Sequence, residues 1–395
     1  MINTLATIDE TTIDRVRRMR GLALDALARM YLPDKQAFVY RLRQDGRNAR
    51  PEGESARYTA IVLIGLAGEP ASSVRAALHG DAIADVCQRL IEQAVDATPG
   101  NLGDVALTYW AARALDHQDA SRALTRLEQM MREARMHETV EIAWAVSALC
   151  QTVEQDRAAE LRDEALRRLL TAYRAEARLF AHWTGDDGSG LRGHVSCFAD
   201  LVYPIQALAR YHAKLNRSAL LHVANRCAGR KCELLGPDGQ WWWHYDSRTG
   251  RVLEQYPVYS VHQDAMAPMA LFDLADAGGD DHSDAIQRGW EWLEQSPELA
   301  GGSLIDEPAG LIWRKVARGD PKKLVRKMQA AASRMHPAAR MPGVNVVFPA
   351  GKIDDECRPY HLGWLLYAWP EKRLRDLVNP DEPRAGRPCH PRKGD

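Results

Sequence analysis

The chain has 395 residues, enough for a large core. Lys plus Arg number 52 against 53 Asp plus Glu, a net charge of −1, so no positive field exists to attract nucleic acid or an acidic membrane. Seven cysteines, an odd number scattered over apolar and helical stretches, exclude a disulfide scaffold, and no uncharged apolar run reaches the ~18 residues of a membrane span.

The N-terminal stretch "MINTLATIDETTIDRVRRM" carries no apolar leader, so a soluble, reducing, cytoplasmic setting is expected. Residues 16–31 predict a helix, and "KQAFVYRLRQDG" (35–46) a short arm with an apolar-aromatic centre. A recurring phrase then begins: a polar opening followed by small and large apolar residues on nearly every face. Its copies are "GESARYTAIVLIGLAG" (53–68), "NLGDVALTYWAARAL" (101–115), "HETVEIAWAVSALC" (137–150), "GHVSCFADLVYPIQALARY" (193–211), "YPVYSVHQDAMAPMALFDL" (256–274) and "RPYHLGWLLYAW" (358–369). Small residues let helices approach closely, and all-round apolar character means burial. The copies follow no fixed period, so no standard solenoid repeat emerges.

Between them lie amphipathic segments at 81–95, 120–134, 156–177, 217–230 and 283–295, each with one apolar stripe and one charged face. Buried helix alternating with amphipathic helix about six times predicts an all-α fold, an (α/α)6 toroid with an inner and an outer ring. The arm at 35–46 is joined by "EARLFAHWTGDDG" (176–188), "DGQWWWHYDSRTG" (238–250) and "AGLIWRKV" (309–316), which read as β-hairpin arms roofing one rim. In the tryptophan run, strand alternation puts Trp241 and Trp243 on one face and Trp242 and His244 on the other. The insertion after residue 295 is expected to hold a β-like strip and one outer helix near 322–335, followed by a loop at 342–351. The toroid is expected to span 1–378, with 1–50 as N-terminal helix and rim arm, and 379–395 as a disordered tail rich in Pro, Gly and charge.

A toroid of this kind has a pit where the inner helices begin, and helix N-termini there favour polar and anionic ligands. The residues opening each inner helix are therefore the candidates: Glu54, Arg57 and Tyr58; Asp104; His137, Glu138 and Glu141; His194 and Asp200; Tyr256, Tyr259, His262 and Asp264; Glu356, Arg358, Tyr360 and His361. An acidic residue in such a place also serves as a plain helix cap. The run His262, Gln263, Asp264 sets three polar groups in an apolar helix, and buried polar groups need partners. In "HWTGDDGSGLRGH", two adjacent carboxylates, including Asp187, would push one another's proton affinity up, as a general acid needs. Trp183, Trp242 and His244 line the arms. Eleven tryptophans against five phenylalanines favour flat faces with a polar edge, suited to stacking on sugar rings or to cation–π contact. No phosphate-binding loop, His-Glu-x-x-His or other metal set is present. "DDHSD" (280–284) has diphosphate–magnesium spacing but sits where a helix cap belongs, so neither metal nor cofactor is expected.

Over roughly residues 50–370 this alternation resembles the α/α toroid enzymes: six-hairpin glycosidases, unsaturated-uronyl hydrolases and sugar 2-epimerases, and also terpenoid cyclases. In the sugar enzymes, carboxylates and histidines on inner-helix ends do acid–base work. The resemblance maps that role onto Asp187, His194, Asp200, His262, Asp264 and Glu356. Substrate binding falls to Glu54, Tyr58, Trp183, Trp242, His244, Tyr256, Tyr259, Arg358, Tyr360 and His361. It implies a carbohydrate-active enzyme of hydrolase, lyase or epimerase type acting on a small-molecule or oligosaccharide substrate, and sets no oligomeric state. "CELLGPDGQWWW" resembles the Gln-and-Trp repeat of squalene and hopene cyclases, which keeps a cyclase as the second reading, although their Asp-x-Asp-Asp motif is missing. A helical-repeat scaffold that binds protein is the third. The wording of "QWWWHYDSRTG" and "RPYHLGWLLYAW" is similar to a bacterial family associated with surface-polysaccharide synthesis.

Overall fold

The computed structural model describes residues 8–45, 48–133, 136–151, 156–185, 190, 192–319, 324–336 and 347–378. Asp187 and the tail 379–395 lie outside the described residues. Helices dominate, in the order α1 (Glu10–Met30), α2 (Ala56–Leu66), α3 (Ala71–Ala77), α4 (Ile83–Asp96), α5 (Leu102–Ala114), α6 (Ala120–Glu133), α7 (Thr139–Leu149), α8 (Asp156–Thr171), α9 (Ala199–Leu215), α10 (Ser218–Glu233), α11 (Ala267–Asp276), α12 (Ser283–Glu294), α13 (Leu324–Met335), α14 (Pro359–Ala368) and α15 (Glu371–Val378).

Helices α2, α5, α7, α9, α11 and α14 pack each on the next, and α14 returns to α2, so the inner ring closes. Their composition dictates this place: α5 buries Leu102, Gly103 and every residue from Val105 to Ala112, leaving no face for water. Ring closure depends on two glycines. A Cβ on Gly65 of α2 would lie 2.3 Å from the Gly363 carbonyl of α14, so the backbones meet where side chains are absent. The outer ring is α1, α4, α6, α8, α10 and α12. On α4 only the stripe Val86, Cys87, Leu90, Ile91 and Ala94 is buried, one face of a 3.6-residue period.

The predicted toroid is present, with two differences in detail. The outer helices α6, α8, α10 and α12 pack mainly on the inner segment before them in the chain, and α1 supplies the sixth outer helix by packing on α14 and α3. The outer helix expected in the late insertion is α13, which packs on the rim strand Arg251–Glu254 instead. The sixth outer position is already filled by α1, so α13 has only the rim left to cover.

The strands are short, and every strand pairing is antiparallel. Three three-stranded sheets stand at one end: Val195–Cys197 with His244–Asp246 and Arg251–Glu254; Val258–Tyr259 with Lys315–Arg318 and Ala350–Asp354; and Glu356–Cys357 with Arg41–Asp45 and Asn48–Glu52. These strands feed directly into α9, the α11 segment, α14 and α2, so the rim lies at the inner-helix N-termini. Before α11, residues His262–Met266 form a π-helical turn. Pro268 has no N–H for the carbonyl of Asp264, and the Trp369 indole donates to that oxygen instead at 2.6 Å. Among the described residues no helix is long and apolar enough to cross a membrane.

Candidate active site

The residues at the helix openings fall into two groups. On the α5–α7–α9 side stand Asn101, Asp104, Glu138, Glu141 and Asp200. Asn101 caps α5, its oxygen accepting from the Asp104 N–H at 3.0 Å, and its amide donates to Glu141 at 2.7 Å. Arg57 donates to Asp104 and, at 2.8 Å, to Asn101, while its guanidinium lies 5.3 Å from the centre of the Trp144 ring. These polar groups are part-exposed: Arg57 and Asp104 keep 35% of their side chains open.

Asp200 is in the first turn of α9 and its side chain is fully buried. One carboxylate oxygen accepts from the Cys197 N–H at 2.7 Å, and both lie 3.0–3.1 Å from His182 Nδ1. His182 Nε2 stands 3.9 Å from Glu138, and 31% of its side chain is open. Burial works against the imidazolium, but the hydrogen bond and charge of Asp200, with Glu138 behind them, outweigh it and raise the His182 pKa. Trp183 sits beside it, ring centres 5.0 Å apart, anchored by a β-bridge to Glu138. His182 is thus a part-open imidazole oriented by a buried carboxylate. Among the described residues His182, Cys197 and Asp200 also offer metal-ligand atoms that all lie within 4.8 Å of one another.

The opposite side, by α14 and α2, is cationic. Glu356 receives Arg41 at 2.7 Å, Arg358 at 2.9 Å and Arg314 in a shorter contact. Burial alone would raise its pKa, yet Arg314, Arg358 and Arg41 together hold it down to about 2. A carboxyl so held stays ionised at neutral pH, which suits an anchor for arginines better than a proton donor. Arg358 donates to the Tyr58 hydroxyl at 2.8 Å, and Tyr58 lies between Tyr40 and Tyr360, with ring centres 5.4 and 4.8 Å away. Arg314 approaches the Tyr259 ring to 5.1 Å.

The His262–Asp264 run is buried throughout. His262 is buried, stacked 3.8 Å from the Phe198 ring and 5.7 Å from that of Trp243. Burial, with Lys231 nearby, holds its pKa well below the ordinary value. Asp264 is wholly buried and bonded to His361 Nε2 at 2.8 Å; burial pushes its pKa up against the pull of His361. His361 Nδ1 in turn faces Ser260 at 3.5 Å. Asp264, His361 and Ser260 thus link the π-helical turn to α14, while His262 Nδ1 has no hydrogen-bond partner among the described residues.

The remaining candidates are dispersed along the rim. His194 is buried against Ser333 Oγ at 2.8 Å and lines a small pocket with Trp183, Arg174, Arg248 and Arg334. His244 meets Glu254 at 2.7 Å, and burial holds its pKa down at about 4 despite that carboxylate. Tyr256 donates to Glu298 at 2.6 Å, and Trp242 packs 5.7 Å from the Tyr256 ring. Glu54 pairs with Lys35 at 2.7 Å, lining a different surface groove with Asp81 and Arg89.

Residues beside these candidates that the sequence reading did not single out include Tyr40, Arg41, Asn101, His182, Cys197, Trp243 and Arg314. His182 had one available signal, its place between an apolar strand and Trp183. Trp241 packs on Phe198 and Trp243 on His262, all three tryptophans precede the strand His244–Asp246, and Trp243 alone of the three is left part-open.

No protein-family model matches the sequence, and no curated protein matches it. In three dimensions the chain is similar to solved α/α toroid enzymes. An unsaturated glucuronyl hydrolase specific for heparin superposes with a TM-score of 0.61 at 11% identity, covering 94% of this chain and 98% of that one. A cellobiose 2-epimerase from Bacillus thermoamylovorans gives 0.61 at 10% identity over 92% and 100% of the two chains. A sugar epimerase from a ruminal bacterium gives 0.60 at 11% identity over 90% and 98%. At these identities the likeness establishes the fold, the six-hairpin α/α toroid.

Proposed function

We propose that the pit is the active site of a carbohydrate-active enzyme, and that its reaction turns on a proton carried by His182 and oriented by Asp200. The observation that supports this most directly is the buried Asp200 carboxylate aligned on a half-open imidazole beside Trp183. Trp183 offers a face for a sugar ring, and Asp104, Glu138 and Glu141 offer acceptors for its hydroxyls. The structural neighbours act on unsaturated glucuronyl compounds, cellobiose or other sugars, and the acid–base dyad suits either kind of chemistry. Protonating a ring double bond and exchanging a proton beside a carbonyl both need one well-placed acid or base. A pit for carbocation cyclisation needs an apolar wall sealed from water, whereas Arg57, Asp104 and His182 are part-exposed. A protein-binding solenoid needs an open concave surface, which ring closure removes. The six described cysteines are all free, which agrees with action in the cytoplasm on a sugar chain or activated sugar, as surface-polysaccharide metabolism would require.

The test is a panel of unsaturated glucuronyl disaccharides and reducing β-linked disaccharides, followed by NMR in D2O. Turnover of one member is expected, with solvent deuterium at the protonated carbon; its position tells addition across a double bond from epimerisation. Asp200→Asn should lower kcat about a hundredfold or more while leaving the melting temperature within a few degrees. Undiminished turnover in that variant, or no turnover and no binding across the panel, defeats the proposal.

A further inference from the structure

His182, Cys197 and Asp200 come from two different segments. His182 follows the strand Leu179–Phe180. Cys197 ends the strand Val195–Cys197, three residues before Asp200 in α9. Imidazole nitrogen, thiol sulfur and carboxylate oxygen converge so that all three donor atoms lie within 4.8 Å of one another, and the nitrogen is 3.0 Å from the nearer oxygen. Around a tetrahedral zinc with bonds of about 2.0–2.3 Å, neighbouring donors stand roughly 3.3–3.8 Å apart, so the nitrogen–oxygen pair at 3.0 Å must open by some tenths of an ångström and a pair at the 4.8 Å bound must close by about 1 Å.

The surroundings complete the pattern. A metal-bound imidazole commonly gives its other N–H to a carboxylate, and Glu138 Oε1 stands 3.9 Å from His182 Nε2, beyond hydrogen-bond length but within reach of a small side-chain shift. The ligating carboxylate is itself held in place, by the Cys197 N–H at 2.7 Å. Asp200 is buried, which separates this set from the exposed acidic clusters common on protein surfaces.

We infer that His182, Cys197 and Asp200 form a binding site for a thiophilic divalent cation of the zinc type, at the wall of the pit. Mixed nitrogen, sulfur and oxygen donors select zinc or cobalt over magnesium, which prefers oxygen alone. On binding, the Cys197 thiol gives its proton to solvent and binds as thiolate. His182 coordinates through Nδ1 and keeps its proton on Nε2, toward Glu138. Capture of the cation takes His182 and Asp200 out of proton transfer, so zinc should inhibit turnover; this consequence, unlike the binding itself, rests on the function proposed above.

Cobalt(II) titration of the chelator-treated full chain, under reducing conditions, tests the site without any substrate. A single equivalent should bring up a thiolate-to-cobalt charge-transfer band and the visible bands of a four-coordinate ion. Zinc should erase both, and millimolar magnesium neither. Cys197→Ser should abolish the charge-transfer band. His182→Gln, at the part-exposed edge of the set, should weaken cobalt binding about tenfold or more, and it carries the test should Cys197→Ser not fold. No charge-transfer band in the wild type, an unchanged band in Cys197→Ser, or unchanged affinity in His182→Gln overturns the inference. None of these readings depends on whether the sugar chemistry is correct.

Discussion

Lys231 shows how one side chain can oppose the fold that contains it. It lies on α10 yet is only 1% exposed, its Nζ without a hydrogen-bond partner among the described residues. Its nearest support is aromatic: Nζ stands 3.4 Å from the centre of the Phe198 ring and 4.4 Å from that of Trp241. Burial drives the pKa well below 10.5. A lysine depressed in the folded state binds fewer protons there than in the unfolded chain, so it destabilises at neutral pH and does so less as pH rises toward 10.5. Lys231→Met should therefore raise stability by about 1–3 kcal/mol at pH 7, and the gain should shrink toward pH 10. Chemical denaturation of both proteins across that range measures it. A variant less stable by the same amount at every pH would mean that the aromatic faces hold a charged ammonium.

Among the elements, the α2–α14 contact decides whether the ring shuts. A Cβ on Gly363 would meet the Ile61 carbonyl oxygen at 2.8 Å and the Val62 Cα at 2.9 Å, backbone atoms that cannot rotate away. Gly363→Ala should cost about 3 kcal/mol, because one methyl must push two buried helices apart. Ala in a helix is otherwise more favourable than Gly by roughly 1 kcal/mol, so close packing and helix propensity act in opposite directions. A higher melting temperature in Gly363→Ala would show that propensity wins and that the seam has slack. The strand-to-helix entries matter equally, since they fix which end of each inner helix carries the polar residues.

For the whole molecule, Glu356 joins three distant parts of the chain: Arg41 of the N-terminal arm, Arg314 of the late insertion, and Arg358 at the start of α14. Its pKa is about 2 in the folded protein against an ordinary 4.5, so it contributes stability that is complete above 4.5 and lost as pH falls through 2. Allowing for screening by water, that contribution is about 2 kcal/mol. Glu356→Gln should be less stable than wild type by about that much at pH 7, and the difference should narrow progressively between pH 4.5 and pH 2. Paired urea melts at pH 7 and pH 3 check it; an undiminished gap at pH 3 would place the stabilisation elsewhere.

The sequence by itself determined the architecture. Helices apolar on every face have no stable place except inside a second layer, and six of them alternating with amphipathic helices close most economically as a double ring. It also determined that polar residues would gather at the inner-helix openings, because capping residues such as Ser55 and Asn101 are local chemistry. What it could not contain is which of those residues meet. Asp264 and His361 are 97 positions apart and bond across the seam. His182 and Asp200 are 18 apart, and only the intervening strand pairing aims one at the other. Strand alternation was expected along the tryptophan run, but the strand begins only at His244, so packing rather than a two-residue period sets how far each tryptophan is covered. Periodicity and capping act over a few residues and are written in order along the chain. The meeting of an imidazole, a thiol and a carboxylate depends on how helices and rim strands pack, and only the tertiary structure decided it.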